Sequence, residues 1–212
     1  NRAEEQLRRL NRELRAISDC NQVLIRATDE QELLKDICRI ICEEAGYRMA
    51  WVGLAEHDEA KSVRPVAWHG EEDGYLPQAG ITWADTESGR GPTGTALRTG
   101  EPCVVTDFAT DPQAEPWREQ ALRRGYRSSI ALPLVDSHGK AFGALNIYSP
   151  QPNAFVPEEI RLLGELAQDL SFGIVSLRAR AQQERMNNVN AARLRLLQFA
   201  ATHSLDALLE ET

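Results

Sequence analysis

The sequence predicts an α+β domain with one antiparallel sheet and long helices at both ends of the chain. The first observation is a change of hydrophobic period after Gly46, from helical spacing to the alternation typical of strands. The second is a hairpin in which residues 128–135 pair with residues 141–148 across a polar turn. The third is a heptad repeat of apolar residues near each terminus. Together these patterns predict helices packed around a sheet.

The composition sets limits on function. The chain has 212 residues, 24 Lys+Arg against 32 Asp+Glu, and a net charge of -8. An acidic balance argues against sequence-independent binding to nucleic acid, which depends on basic surfaces. No apolar run approaches the roughly 18 residues of a membrane span, so we expect no membrane contact by this segment. Four cysteines make a poor disulfide framework and fit a reducing, cytoplasmic setting.

The N-terminal segment has the heptad spacing of a coiled coil, with alternating steps of four and three residues. Asn21 falls at an a position, where a buried amide favours a parallel two-stranded pairing. We therefore predict a homodimer, with a single helix packed on its own domain as the alternative. The repeat consists of Ala3, Leu7, Leu10, Leu14, Ile17, Asn21 and Leu24.

The elements that follow are predicted from caps and periodicity. Thr28 and Gln31 form a capping box that opens an amphipathic helix, and Gly46 ends it. Strands are expected at residues 49–55, 63–68 and 102–106, with short helices at 92–100 and 117–124. The irregular stretch at residues 70–91 is long for a compact domain, and such loops are often functional.

The C-terminal helix is predicted to begin at Pro157, with Glu158 and Glu159 in its first turn. Its heptad pattern lapses at residues 187–190 and resumes in another register. Residues 208–211 repeat the pattern of residues 33–36, which suggests the start of a following domain. Because both ends lie in amphipathic helix, we expect a piece of a longer protein. The predicted dimer interface combines the two terminal helices through Leu7, Leu10, Leu14, Ile17, Asn21, Leu170, Ile174 and Leu177.

By its motifs, the chain resembles the GAF family of sensory domains over residues 48–178. The resemblance rests on five stretches in the family's order and spacing, followed by a final helix. These are GPTGTA at 91–96 with GEP at 100–102, Asp107 with Asp111-Pro112, SSIALPL at 128–134, GALN at 143–146, and Phe155 before Glu158-Glu159-Ile160.

The resemblance implies a six-stranded antiparallel sheet with helices on both sides, and a ligand pocket roofed by residues 75–117. It also implies dimerisation through the flanking helices and a parent protein such as a histidine kinase, a diguanylate cyclase or a phosphodiesterase. The domain division is then a signalling helix at 1–27, a GAF domain at 28–178, and a linker helix with the start of a further sensory domain at 179–212.

The ligand is not identified by the resemblance. Cyclic-nucleotide-binding members carry an Asn-Lys pair, and here Asn146 is followed by Ile147. No cysteine has the adjacent histidine common at bilin sites, and His69 is the one candidate for a haem ligand. Members that reduce free methionine sulfoxide rely on clustered cysteines in the pocket region, where this chain has only Cys103.

The candidate pocket residues combine aromatic walls with a few polar groups, as ligand sites usually do. They favour a small planar ligand that is anionic or bears an amide, with a filled aromatic core as the alternative. We expect no catalysis and no metal in this segment, because no phosphate-binding loop or Cys-x-x-Cys pair is present. We therefore predict a sensory and regulatory module, with a ligand-free dimerisation or spacer module as the alternative. The candidates are Trp68, Tyr75, Trp83, Arg90, Thr93, Asp107, Trp117, Arg127 and Ser129.

Overall fold

The fold is a five-stranded antiparallel sheet with helices and loops on its two faces. The structure is a computed structural model that describes the backbone of residues 2–210 and the side chains of residue 8 and residues 10–200. The helices are α1 (Arg2–Arg26), α2 (Glu30–Glu43), α3 (Tyr75–Gln78), α4 (Pro92–Thr99), α5 (Arg118–Arg123) and α6 (Pro157–Glu210). The strands are β1 (Met49–Ala55), β2 (Val63–Gly70), β3 (Cys103–Val105), β4 (Ser128–Val135) and β5 (Ala141–Ser149). Short 3-10 turns lie at Glu87–Gly89 and Pro112–Trp117.

The strands lie in the order β2-β1-β5-β4-β3. The register places Met49 opposite Tyr148 and Tyr148 opposite Ser129 across the three central strands. Because side chains alternate along a strand, paired residues share one face of the sheet. We call the face with Met49, Trp51, Ser129 and Tyr148 the aromatic face, and the opposite one the helical face.

The helical face carries aliphatic residues such as Val52, Leu132 and Ile147, all fully buried. Helix α2 packs against β1 and β2 on this side. Helix α6 contacts the end of β4, where Ser171 Oγ accepts a hydrogen bond of 3.1 Å from the Val135 amide. The residues that α2 buries follow its apolar stripe from Leu33 to Ile41.

The sheet has five strands in the part of the chain that the structure describes, so the expectation of six was wrong. The segment that begins at Ile81 runs beside the start of β2, where the Val63 amide donates to Ile81 O at 3.0 Å. The pairing is a single bridge between Ser62 and Thr82. Thr82 Oγ1 and the Trp83 amide both donate to the carbonyl of Lys61, at 2.8 Å and 2.9 Å. The chain then bends away from Ala84 onward. This contact is too short to form a strand.

The N-cap of α2 and the buried positions of α1 differ from the sequence-based predictions. The N-cap of α2 is Asp29, whose side chain accepts from the Glu32 amide at 2.8 Å, so the helix begins one residue later than the expected cap at Thr28. Helix α1 buries Glu13, Ala16 and Cys20, which lie beside the heptad positions rather than on them. The Tyr47 hydroxyl donates to the buried Glu13 carboxylate at 3.2 Å.

The chain divides into two compact units, at residues 1–174 and 175–212. The described part of the second unit is the distal portion of α6, helical to Glu210. It carries apolar side chains that are more than half exposed, among them Met186, Val189, Leu194, Leu197 and Phe199. Within the described residues, no helix combines the length and the apolar character needed to cross a membrane.

Candidate functional site

The aromatic face holds a small cavity of about 20 Å³, which is on the scale of one water molecule. Its lining combines aromatic rings with the entry to α4. The residues are Tyr75, Ile81, Ser88, Gly91, Pro92, Thr93, Gly94, Phe108, Trp117 and Tyr148. The structure therefore brings together three of the candidates from the sequence, Tyr75, Thr93 and Trp117, around one space.

Tyrosine rings pack together beneath the roof, the loops and short helices at residues 71–127, outside β3, that cover the aromatic face. The rings of Tyr126 and Tyr148 have centroids 4.7 Å apart, and Tyr75 meets Tyr126 edge to face at 5.6 Å. Phe108 stacks on Tyr148 at 6.2 Å. Offset and edge-to-face pairs of this kind add stability beyond their buried area. The aromatic candidates are in part a core, as the alternative interpretation of the sequence allowed.

The tyrosine hydroxyls of this cluster are neutral hydrogen-bonding groups. Burial raises the pKa of Tyr75, Tyr126 and Tyr148 above the usual value. The Tyr126 hydroxyl donates to the carbonyl of Glu71 and so ties the start of the roof to the cluster. The cavity therefore offers hydroxyl groups but no charge from these side chains.

The Gly-Pro-Thr-Gly stretch lets the backbone approach its neighbours closely. A Cβ on Gly91 would lie 2.7 Å from the Trp117 ring, and one on Gly94 would lie 2.1 Å from the carbonyl oxygen of Gly89. Between them, the buried Thr93 hydroxyl donates to Asn146 Oδ1 at 2.7 Å. This bond joins α4 to β5, so Thr93 has a positioning role at the cavity wall.

Two buried polar atoms on the aromatic face have no hydrogen-bond partner among the described residues: Ser129 Oγ and Trp51 Nε1. Ser129 lies directly opposite Tyr148, which lines the cavity. The Trp51 indole lies near the Tyr148 hydroxyl and influences its pKa, yet makes no well-formed hydrogen bond. An unsatisfied buried donor costs free energy, so such groups need an explanation.

Three arginines hold the roof through backbone carbonyls rather than through carboxylates. Arg98 donates to the carbonyls of Trp83, Ala84 and Gly89, the last at 2.6 Å. Arg124 reaches Asp73 O at 2.6 Å, and Arg118 reaches Phe108 O at 3.0 Å. The sequence did not indicate these roles, because every residue has a backbone carbonyl and no acidic residue marks the position of the acceptor.

The other candidates lie away from the cavity. Arg127 forms an ion pair with Asp107 at 3.0 Å. Hydrogen bonding to Arg127 lowers the pKa of Asp107. Arg90 is exposed and pairs with Asp85 at 3.3 Å, and Trp68 is 51% exposed on β2. Trp83 packs at the edge of the aromatic core, with its indole N–H donating to Glu56 O at 2.8 Å. The two arginines proposed for an anion are therefore already paired with acids.

The thiols are in unreactive settings. Burial raises the pKa of Cys20 and Cys42 to about 12 and that of Cys38 further still. Cys103, on β3, has its pKa raised by partial burial as well. Its strand pairing puts it on the aromatic face, opposite Ala131, whereas the other three lie on α1 and α2. A thiolate is the reactive form of cysteine, so these shifts oppose a nucleophilic role.

The described residues contain no group of three or more His, Cys, Asp or Glu side chains placed to hold a metal ion. His69, the candidate for a haem ligand, pairs with Ala50 of β1 and so lies on the helical face. Its Nε2 is 3.2 Å from the Glu43 carboxylate of α2. The side chain therefore points away from the cavity.

Comparison with known proteins agrees with this architecture. The profile of the GAF domain family matches residues 27–175, so the chain belongs to this family. GAF domains are sensory and regulatory modules found in histidine kinases and other signalling proteins. No curated protein matches the sequence.

Solved structures share the fold at low sequence identity. A free methionine-R-sulfoxide reductase from Neisseria meningitidis, solved with its substrate, is 23% identical with a TM-score of 0.63, covering 78% of this chain and 89% of that one. The GAF domain of a phosphoenolpyruvate-protein phosphotransferase from Coxiella burnetii is 18% identical with a TM-score of 0.64, covering 80% and 96%. A domain assigned to a two-component sensor histidine kinase from Sinorhizobium meliloti is 22% identical with a TM-score of 0.58, covering 74% and 99%.

Proposed function

We propose that this chain is the sensory module of a larger signalling protein and that a small, uncharged planar molecule binds on its aromatic face. The observation that carries the proposal is a pair of buried polar atoms on the aromatic face, Ser129 Oγ and Trp51 Nε1, that have no hydrogen-bond partner among the described residues. Ser129 lies opposite Tyr148, which lines the cavity. Both can donate to a carbonyl or a ring nitrogen of a ligand. A planar ligand fits between aromatic rings, and the lack of a cation in the cavity lining favours an uncharged one.

Ligand entry requires the roof to move, because the cavity of about 20 Å³ holds no more than a water molecule. The roof is suited to this, since it consists of loops and short helices held by hydrogen bonds from Arg98, Arg118 and Arg124. Binding sites are commonly built from segments of low local stability. The ligand would then stabilise an open roof over the closed one.

A thermal-shift titration with nicotinamide, adenine and indole tests the ligand site. We expect at least one of these probes to raise Tm in the parent chain and to do so less in Ser129→Ala, which removes the hydroxyl donor. Ser137→Ala, in the exposed β4–β5 turn, is the matched control and should respond like the parent. A panel in which no probe shifts Tm overturns the ligand proposal.

The second candidate is a ligand-free dimerisation or spacer module, favoured by the near-complete filling of the cavity by the protein's own rings. In that case no probe raises the Tm of the parent chain or of Ser129→Ala. The same titration therefore separates the two functions.

We propose that signals leave the domain through a homodimer of its terminal helices. The heptad positions of α1 support this proposal, because Leu14 is 45% exposed and Ile17 and Asn21 are only half-buried. Leu170 and Ile174 are fully buried within one chain, so we assign the contribution of α6 to Phe172, which is 75% exposed. The side chain of Leu7 lies outside the described residues, and Leu177 belongs to the second unit.

Light scattering on the parent chain and on the double variant Leu14→Asp, Ile17→Asp tests the dimer. The parent should have twice the mass of a single chain, and the variant should be a monomer, because two charges in an apolar seam are costly to bury. Arg15→Asp with Ser18→Asp, at neighbouring exposed positions, should stay dimeric. A monomeric parent chain overturns this part of the proposal.

We further propose that this segment is cytoplasmic and not itself an enzyme, and that its parent carries a histidine kinase or a cyclic-di-GMP enzyme domain. Thiol reduction of a sulfoxide to a sulfide and water consumes two thiols, which are oxidised to a disulfide. Cys103 is the one cysteine on the aromatic face, and its pKa is raised. Free methionine sulfoxide incubated with the chain and dithiothreitol should therefore yield methionine no faster than dithiothreitol alone; faster release would show that the segment is catalytic.

A further inference from the structure

A second depression lies at the opposite end of the domain from the roof loops of Glu72 and Asp73. It lies between the β1–β2 turn, the β4–β5 turn and the end of α4, and its volume is about 360 Å³. Its apolar part is formed by Ala55, Leu97 and Ala141. Small-molecule sites commonly have volumes of about 300–1,000 Å³. We call this depression the basic groove.

The basic groove concentrates positive charge in an acidic chain. The sequence has three lysines, Lys35, Lys61 and Lys140, and the last two line the groove together with Arg98 and His57. No Asp or Glu is among its lining residues, although the chain has a net charge of -8. Such a concentration of one sign of charge attracts ligands of the opposite sign.

The cations of the groove are not held in direct ion pairs, although backbone amides and, more weakly, the charge of Lys140 lower the pKa of the nearby Asp136. In the described part of the chain, Lys61, Arg98 and Lys140 form no ion pair with a carboxylate. Asp136, in the β4–β5 turn, uses its carboxylate to accept from the amide of Lys140 at 3.0 Å. The ammonium groups are therefore available to an anion.

An aromatic ring stands beside these cations in a fixed orientation. The indole N–H of Trp83 donates to Glu56 O at 2.8 Å. Lys61 Nζ lies 4.9 Å from the centroid of the Trp83 ring, and the His57 ring meets it edge to face at 5.7 Å. Arg98 is held by three carbonyls, including that of Trp83 at 3.2 Å. The ring and the guanidinium are thus positioned before any ligand arrives.

We propose that the basic groove binds a small organic anion that carries an aromatic ring and a phosphate group. The ring packs on Trp83 and the apolar floor, and the phosphate is met by Lys61 and Lys140. Lysine is a common phosphate ligand that acts as a flexible point charge. This site is separate from the aromatic cavity, which has no cation in its lining, and it does not depend on the proposed function of that cavity.

Pyridoxal 5′-phosphate is a suitable probe, because it combines both features with an aldehyde. The aldehyde condenses with a lysine amine to an imine with loss of water, and borohydride reduces the C=N bond to a stable amine. Peptide mapping then measures labelling at each of the three lysines. We expect Lys61 and Lys140 to be labelled at least about tenfold faster than Lys35, since charged clefts raise local ligand concentration by about that factor or more.

Four controls identify the cause of any labelling preference. Pyridoxal, which lacks the phosphate, should label the three lysines at similar rates. Adenosine monophosphate should protect Lys61 and Lys140 and leave Lys35 unaffected. Lys61→Gln, at an exposed position, should slow labelling of Lys140, and Trp83→Leu should do the same, provided that its circular dichroism matches the parent.

Several outcomes overturn the proposal. Equal labelling of all three lysines excludes a site, and an equal preference with pyridoxal means that amine reactivity, not phosphate binding, selects them. Protection by poly-glutamate but not by adenosine monophosphate would assign the groove to an acidic peptide instead.

Discussion

The two faces of the sheet are covered by different kinds of chain. On the helical face, α2 and the start of α6 bury aliphatic side chains such as Ile37 and Leu170, both fully buried. On the aromatic face, the cover consists of loops and short helices joined by hydrogen bonds from arginines to carbonyls. Continuous helical packing resists opening, whereas loops held by polar contacts open at lower free energy. We therefore expect the helical face to act as the scaffold and the cover of the aromatic face to open first.

The largest effect is expected on the helical face. Leu170→Ala removes a fully buried side chain from α6 and should lower the free energy of unfolding by about 2–5 kcal/mol. Gln168→Ala, at an exposed position of the same helix, should change it by no more than about 0.5 kcal/mol. Urea unfolding followed by circular dichroism measures both. A loss below about 1 kcal/mol for Leu170→Ala would contradict the scaffold role of this face.

A smaller and more local effect is expected at the roof. Arg98→Lys replaces the planar guanidinium, which donates to three carbonyls, with an ammonium of different shape and reach. The loss of these hydrogen bonds should lower the free energy of unfolding by about 1–3 kcal/mol. Hydrogen exchange should accelerate in residues 84–90 more than in the sheet. Arg90→Lys, which changes an exposed ion pair, should leave both measurements near those of the parent. Uniform acceleration across the domain would mean that the roof is not a separate unit.

Removal of the Thr93 hydroxyl should lower the stability of the domain, whereas removal of the Ser129 hydroxyl should not. Thr93→Val leaves the buried Asn146 Oδ1 without its donor and should cost about 1–3 kcal/mol. Ser129→Ala removes an unpartnered hydroxyl and should be neutral within about 0.5 kcal/mol, or slightly stabilising. Thermal unfolding of the two variants measures the difference. Equal losses would show that Ser129 has a structural partner.

The smallest effect is expected from thiol chemistry. Because burial raises the pKa of Cys20 and Cys42 to about 12, both stay protonated at pH 8 and should react slowly with Ellman's reagent. Reaction should accelerate as the pH rises toward those values, and half-buried Cys103 should react before fully buried Cys38. A rapid burst of one thiol at pH 7 would indicate an activated cysteine.

Much of the fold could be predicted from local patterns. The bounds expected for β1 and β4, and the start of α6 at Pro157, match the structure because hydrophobic period and proline act over a few residues. The six strands implied by the family resemblance were wrong for this chain, because the number of strands depends on contacts between distant segments. Residues near Thr82, for example, pair with the start of β2 through a single bridge, which no local pattern indicates.

The site was predicted less completely than the fold. Three of the nine candidates, Tyr75, Thr93 and Trp117, lie around one cavity, and their role in binding stays a prediction. Arg90 and Arg127 were proposed for an anion, yet their charges meet Asp85 and Asp107. The arginines that hold the roof were missed, because a backbone carbonyl has no signature in the sequence.

The sequence by itself determined the α+β class, the GAF resemblance, the hairpin and the heptad pattern of α1, since these depend on spacing along the chain. Only the tertiary structure decided that α1 buries Ala16 and Cys20 beside its heptad positions, and that the aromatic cavity is nearly filled. It alone brought Lys61 and Lys140 to one groove from turns almost eighty residues apart in the chain. Such partnerships are set by packing between distant segments, which no local pattern encodes.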